Sequence, residues 1–83
     1  MQFSSSDAKA IVKRIFSEDI LTLREARNEL EPILGRRPDQ STLYRWCFKG
    51  VNGQKLECVK IAGRIITSKQ ALTRFIVNQQ IPQ

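Results

Sequence analysis

Pro32, Pro38, Gly50, Gly53 and Gly63 cut an 83-residue chain into short runs. No helix interior tolerates proline cheaply, and glycine in a turn ends regular structure, so only short elements fit between them. The most tightly bounded run is Asp39-Gln-Ser-Thr-Leu-Tyr-Arg-Trp-Cys-Phe-Lys-Gly50. Asp39 can accept from the free backbone N–H groups of a following turn, and Gly50 can take the left-handed conformation that closes a helix. The segment is therefore read as one capped helix over 39–49. Leu43, Trp46 and Cys47 share a face at spacings of three and four, while Ser41, Tyr44, Arg45 and Lys49 spread over the remainder. Small hydroxyls in the first turn, followed by Tyr and Arg one turn on, suit a helix entering a DNA major groove N-terminus first. A solvated amphipathic helix gives the same pattern, and this segment alone leaves both readings open.

Upstream, Met1 to Ser5 lacks periodicity and is expected to fray, with Ser6 or Asp7 as a helix cap. Ala8, Ile11, Val12, Ile15 and Phe16 then recur at i, i+3, i+4, i+7 and i+8, the apolar stripe of an amphipathic helix. The stripe must be covered, either by the chain's own core or by a second copy of the chain. Thr22 and Glu25 have the spacing of a capping box, so a second helix is expected to begin near Leu23, with Leu23, Ala26 and Leu30 inward. It should end around Pro32, with Ile33 and Leu34 folding back onto the core and Gly35-Arg-Arg-Pro38 as an irregular connector. Two short helices joined this way, the second with a basic outward face, form a helix-turn-helix arrangement with a longer connector than the usual turn of about three or four residues.

Beyond Gly50, Val51-Asn-Gly-Gln54 has turn chemistry. Leu56 to Ile61 and Arg64 to Thr67 are rich in β-branched residues on either side of Ala62-Gly63, which predicts a β-hairpin over 56–67. Val59, Ile61, Ile65 and Ile66 give it a core-facing side, while Arg64 at the tip and Lys60 on the first strand make it basic. Such a hairpin beside a recognition helix is a wing, although it could also serve only to cover the core. Thr67 with Gln70, or Ser68 alone, can cap a last helix whose Leu72, Phe75 and Ile76 face inward. The expected organisation is one domain over 1–83: a helical extension at 1–19, a core at 20–77 and a polar tail at 78–83. The expected fold class is mainly α with a small β-hairpin, a winged helix-turn-helix preceded by an extra N-terminal helix.

Charge narrows the partner. The net charge is +6, and it is lopsided: residues 1–35 hold five Lys/Arg against six Asp/Glu, while residues 36–83 hold nine against two. The excess lies from Arg36 onward, in the end of the connector, the capped helix and beyond, which suits a polyanion; RNA, an anionic membrane or an acidic protein would satisfy charge alone. No long apolar run or signal-peptide pattern appears, so a cytoplasmic, nucleoid-associated protein is expected. Cys47 and Cys58 are the only cysteines and there is no histidine, so no metal site is expected and both thiols are read as reduced core residues. No paired carboxylates, nucleophile with its base, or Gly-rich phosphate loop is present. An enzyme, a cofactor and a small-molecule substrate are accordingly not expected.

The order of motifs resembles a known group. Leu21-Thr-Leu-Arg-Glu-Ala26 opening a helix, Ser41-Thr-Leu-Tyr-Arg-Trp46 in the next, Val59-Lys-Ile-Ala-Gly-Arg64 in a hairpin and Ser68-Lys-Gln-Ala-Leu72 opening the last resemble phage excisionase and MerR-like winged-helix DNA-binding domains. The resemblance covers about residues 20–77 and rests on the order of four motifs, none specific alone. Pro32 to Pro38 is longer than the turn typical of excisionases, and the helix before Ile20 lies outside the shared region, as an offshoot of this bacterial group would show.

The resemblance implies double-stranded DNA as partner, with the helix at 39–49 in the major groove and the wing on adjacent backbone or minor groove. By position, Gln40, Ser41, Tyr44 and Arg45 would face bases or flanking phosphates, Lys49 a phosphate, and Arg64 the groove beside the hairpin tip. Arg36 and Arg37 would add phosphate contacts or form a solvated loop. Trp46 is expected in the core, and Phe48 either packs beneath Val51 and the hairpin or marks a protein contact. The implied role is an excisionase-like recombination directionality factor or a small transcription regulator. Self-association, including a cooperative array on DNA, stays open. The alternative is a protein-interaction adaptor using the apolar N-terminal helix.

Overall fold

The computed structural model describes the backbone from Ser5 to Gln80 and side chains from Ala8 onward. In chain order the elements are α1 (Ser5–Phe16), β1 (Ile20–Thr22), α2 (Leu23–Leu34), α3 (Gln40–Phe48), β2 (Val59–Ile61), β3 (Arg64–Ser68) and α4 (Lys69–Gln80). The protein is thus small and mainly helical, with one three-stranded antiparallel sheet in the order β1-β3-β2. Among the described residues no helix is long and apolar enough to cross a membrane.

Local chemistry starts α2 where the sequence says it should. Thr22 Oγ1 accepts from Glu25 N at 3.2 Å and Glu25 Oε1 accepts from Thr22 N at 2.9 Å, so two orphan donors are satisfied reciprocally. Leu23, Ala26 and Leu30 are buried as expected. The expected stop at Pro32 is overrun by two residues, however, and α2 closes at Gly35, whose N–H reaches the Glu31 carbonyl at 2.9 Å. Proline in this last turn deprives only the carbonyl of Asn28, an exposed residue, of a donor, and water can replace it. Because the helix continues, Ile33 and Leu34 stay outside, 64% and 50% exposed, rather than folding onto the core.

The sheet holds one more strand than the expected hairpin. β2 pairs with β3 from Val59↔Ile66 to Ile61↔Arg64, and β1 adds to the other edge of β3 from Ile20↔Ser68 to Thr22↔Ile66. Both backbone turns have positive φ at both central residues, 52° and 81° at Asn52-Gly53 and 50° and 80° at Ala62-Gly63. That geometry matches the right-handed twist of flanking strands. The hairpin is shorter than expected at its start. Leu56 is buried there without strand pairing, its N–H donating to the Trp46 carbonyl at 3.0 Å. Ile61, expected on the core face, is 43% exposed at the strand end.

Of the two caps open for α4, Ser68 is used: its Oγ accepts from Ala71 N at 2.9 Å, while Thr67 Oγ1 donates instead to the Glu57 carbonyl. Ala71, Leu72 and Phe75 face the core, and α4 continues to Gln80, so 78–80 is helix and not tail. The 17–19 loop is strapped to this helix start. Lys69 N donates to the Asp19 carbonyl, Asp19 N to Gln70 Oε1, and Ser68 Oγ to Glu18 Oε1 at 2.6 Å.

Ile15, Leu21, Leu30, Leu43, Leu56, Ile65, Leu72 and Phe75 form one buried cluster. The middle of the N-terminal helix packs on the chain's own core: Ile15 is fully buried there, with Ile11 and Val12 alongside. The two ends of its stripe are not covered, since Ala8 is exposed and Phe16 is 52% exposed. The expected cap at Ser6 or Asp7 is displaced, because α1 already includes both residues. Residues 1–4 and 81–83, expected to fray or form a tail, lie outside the described part.

Candidate nucleic-acid interface

α3 is placed by what precedes it. Pro38 is buried, and its carbonyl accepts from Arg27 Nε of α2 at 2.7 Å, which fixes the end of the connector one residue before the cap. Asp39 occupies the cap position with extended backbone, but its side chain makes no capping bond, contrary to expectation. The first turn is instead held by the Asp39 carbonyl, which accepts from Thr42 N at 3.0 Å. At the other end Gly50, at φ 78°, sends its N–H to the Arg45 carbonyl at 2.9 Å and closes the helix as expected.

Leu43 and Cys47 anchor the helix in the core. Trp46 is only half-buried, covering the core edge with its ring 4.9 Å from that of Phe75. The outward surface carries two stripes at four-residue spacing. Gln40, Tyr44 and Phe48 form one, with the Tyr44 and Phe48 rings 5.6 Å apart, and Ser41, Arg45 and Lys49 form the other. All six residues are exposed. Phe48 is not in the core: it is 52% exposed, with its ring beside that of Tyr44.

Between the first stripe and the hairpin tip runs a groove of about 470 Å³. Gln40 and Tyr44 of α3, Gly63 and Arg64 of the hairpin tip, and Thr22 and Arg24 at the start of α2 line it. The structure thus brings Gln40, Tyr44 and Arg64 together. It leaves Ser41, Arg45 and Lys49 on the adjacent stripe outside the groove. Arg36 and Arg37 stay exposed in the connector, where Arg37 Nη1 donates to Asn28 Oδ1 at 3.0 Å.

Arg24 was missed by sequence reasoning, which used its neighbours Thr22 and Glu25 for the cap. One signal was available: a cation in the first turn of a helix opposes the macrodipole and calls for another reason to be there. No carboxylate lines the groove, and Arg24, Arg45, Lys49 and Arg64 have no acidic partner among the described residues. Three of the acids, Glu18, Glu29 and Glu57, are engaged elsewhere. Arg74 donates to Glu18 and Glu57 at 2.6 Å each, Arg14 donates to Glu57 at 2.6 Å, and Lys69 lies 3.6 Å from Glu29. The Arg74 guanidinium holds the Glu18 carboxyl below its ordinary value, and that carboxylate in turn raises Arg74.

A family model described as "Protein of unknown function (DUF1580)" matches residues 27–80, which takes in most of α2 and everything from α3 through α4. No curated protein and no solved structure matches the chain.

Proposed function

We propose that this chain, which belongs to the family described as Protein of unknown function (DUF1580), is a double-stranded DNA-binding protein of winged helix-turn-helix type. The observation that carries this reading is the acid-free groove between α3 and the β2–β3 tip, with Arg24 and Arg64 at its margins. α2 and α3 are the helix-turn-helix pair, with Arg27 holding their connector, and β2–β3 is the wing. α3 enters the major groove, where Ser41 and Arg45 meet base edges and Lys49 a phosphate. The groove beside it takes a backbone strand, flanked by Arg24 from α2 and Arg64 from the wing. A cation kept at a helix start against the macrodipole gains its compensation when a phosphate arrives there.

The role that follows from the motif order is that of an excisionase-like recombination directionality factor or a small transcription regulator in the bacterial cytoplasm. The test is selection of bound duplexes from a random pool, followed by titration of the enriched duplex at several salt concentrations. An enriched motif, bound with an affinity that falls steeply with salt, is the expected result. A pool without enrichment and binding indifferent to salt would sink the proposal. Bending of the enriched duplex, read by circular-permutation mobility, separates the recombination role from the regulatory one.

A further inference from the structure

Cys47 and Cys58 meet at the end of α3. Cys47 lies in the last turn of that helix and is 6% exposed, and Cys58 lies half-buried just before β2. The backbone brings them side by side, because the Leu56 N–H donates to the Trp46 carbonyl at 3.0 Å and lays the segment entering β2 against the helix end. Both thiols are free, and each lies near enough to shift the other's titration. Neither is sealed from outside. They line one groove of about 400 Å³, with Ile11 and Phe48 as apolar walls and Lys55 and Lys60 at its margin. The one carboxylate lining it, Glu57, is already bonded to Arg14 and Arg74. A small neutral oxidant can enter this groove. The nearness of Cys47 lowers the Cys58 thiol, while the nearness of Cys58 and then burial push the Cys47 thiol up. Cys58, the more exposed of the two, is placed to attack first and the nearly buried Cys47 to follow. Nothing in the DNA-binding reading uses this pair.

We propose that Cys47 and Cys58 are a modification site for hydroperoxides, which convert them to an intrachain disulfide. The Cys58 thiolate attacks the terminal peroxide oxygen; an S–O bond forms, the O–O bond breaks, and the departing oxygen leaves as alcohol or water after taking a proton. The Cys47 sulfur then loses its proton and attacks the Cys58 sulfenic sulfur, displacing hydroxide, which leaves as water. Overall two thiols and one hydroperoxide give one disulfide, one alcohol or water molecule from the leaving oxygen, and one further water. The sulfurs are oxidised and the peroxide is reduced. A dithiol reductant reverses the change.

The experiment treats the reduced full chain with stoichiometric hydrogen peroxide and reads intact mass without reductant, with dimedone present in a parallel sample. The expected result is loss of two hydrogens per chain, no covalent dimer on a non-reducing gel, and recovery of both thiols with dithiothreitol. Cys47→Ser should stop at a sulfenic acid on Cys58 that dimedone labels, and Cys58→Ser should leave Cys47 a thiol under the same treatment. If Cys47→Ser fails to fold, the wild-type mass and the Cys58→Ser variant still decide. Addition of oxygen without loss of hydrogen, a link between chains, or survival of both thiols in wild type would overturn the proposal. None of these outcomes depends on whether the chain binds DNA.

Discussion

Gly50 meets two demands that no other residue meets together. It closes α3 at φ +78°, and a Cβ there would stand 2.3 Å from the Gln54 carbonyl oxygen. That oxygen is fixed, since it accepts from Val51 N at 2.7 Å. Gly50→Ala should therefore destabilise the fold by about 3 kcal/mol, from left-handed strain plus overpacking against backbone, as read by urea unfolding. A variant as stable as wild type would mean that the 51–54 turn can shift freely. Arg45 and Arg64 differ in a way that only DNA can reveal. Arg45 is on the outward stripe of α3, where a guanidinium can form a planar two-donor contact to guanine that lysine cannot reproduce. Arg64 lines the groove at the wing. On the proposed function, Arg45→Lys relaxes preference at one base pair by about 1 to 3 kcal/mol, whereas Arg64→Ala weakens all duplexes alike. Competition binding against single-base variants of the selected site checks both, and the reverse pattern would exchange their roles.

At the scale of elements, α4 is tied to the loop before β1 and to the segment before β2 by one guanidinium. Arg74 reaches Glu18 with Nη1 at 2.6 Å and Nη2 at 3.1 Å, and Glu57 with Nη2 at 2.6 Å, while its buried Nε has no partner. The Glu18 carboxyl titrates below its ordinary value of 4.5, chiefly through its bond to Arg74, against the opposing effect of burial. A lowered folded value means that the folded state binds fewer protons, so this stabilisation is complete above about pH 4.5 and is lost as pH falls through the folded value. Glu18→Gln should cost about 1 to 2 kcal/mol near pH 7 and should converge on wild type in acid, measured as unfolding free energy against pH. A constant gap at every pH would show that packing, not charge, is what Glu18 supplies. Such long-range ties explain what the sequence left hidden. The capping box of α2 and the turn at Asn52-Gly53 were legible because each is settled within four residues. β1 was not, because a three-residue strand exists only by pairing with β3 more than forty positions away. The run of α2 past Pro32 was missed for a related reason: the cost of proline depends on which carbonyl loses its donor and whether water reaches it. The stripe at 40, 44 and 48 was readable as helix surface, but its facing the wing depends on the fold, and with it the place of Arg24.

For the whole molecule, the division of its cations matters more than its net charge of +6. Arg14, Lys69 and Arg74, on α1 and α4, spend their charge on Glu57, Glu29 and Glu18. Arg24, Arg45, Lys49 and Arg64, on α2, α3 and the wing, meet no carboxylate among the described residues. A charge already neutralised within the fold has little left to displace counterions from DNA, so the second set should contribute to the salt dependence of binding and the first should not. The proposed function therefore makes two opposite expectations. Arg74→Gln should lower the melting temperature, because it leaves Glu18, whose side chain is 12% exposed, without its main partner, yet it should leave the salt slope unchanged. The double variant Lys49→Gln with Arg64→Gln should melt as wild type does and reduce the slope of log affinity against log salt by about two, near 0.9 for each phosphate that the protein no longer neutralises. Both quantities come from thermal unfolding and from fluorescence-anisotropy titrations of one duplex at four or more salt concentrations. If Arg74→Gln changed the slope as much as the double variant did, phosphate binding would extend to the α4 side, and the placement of DNA against α3 and the wing would be wrong.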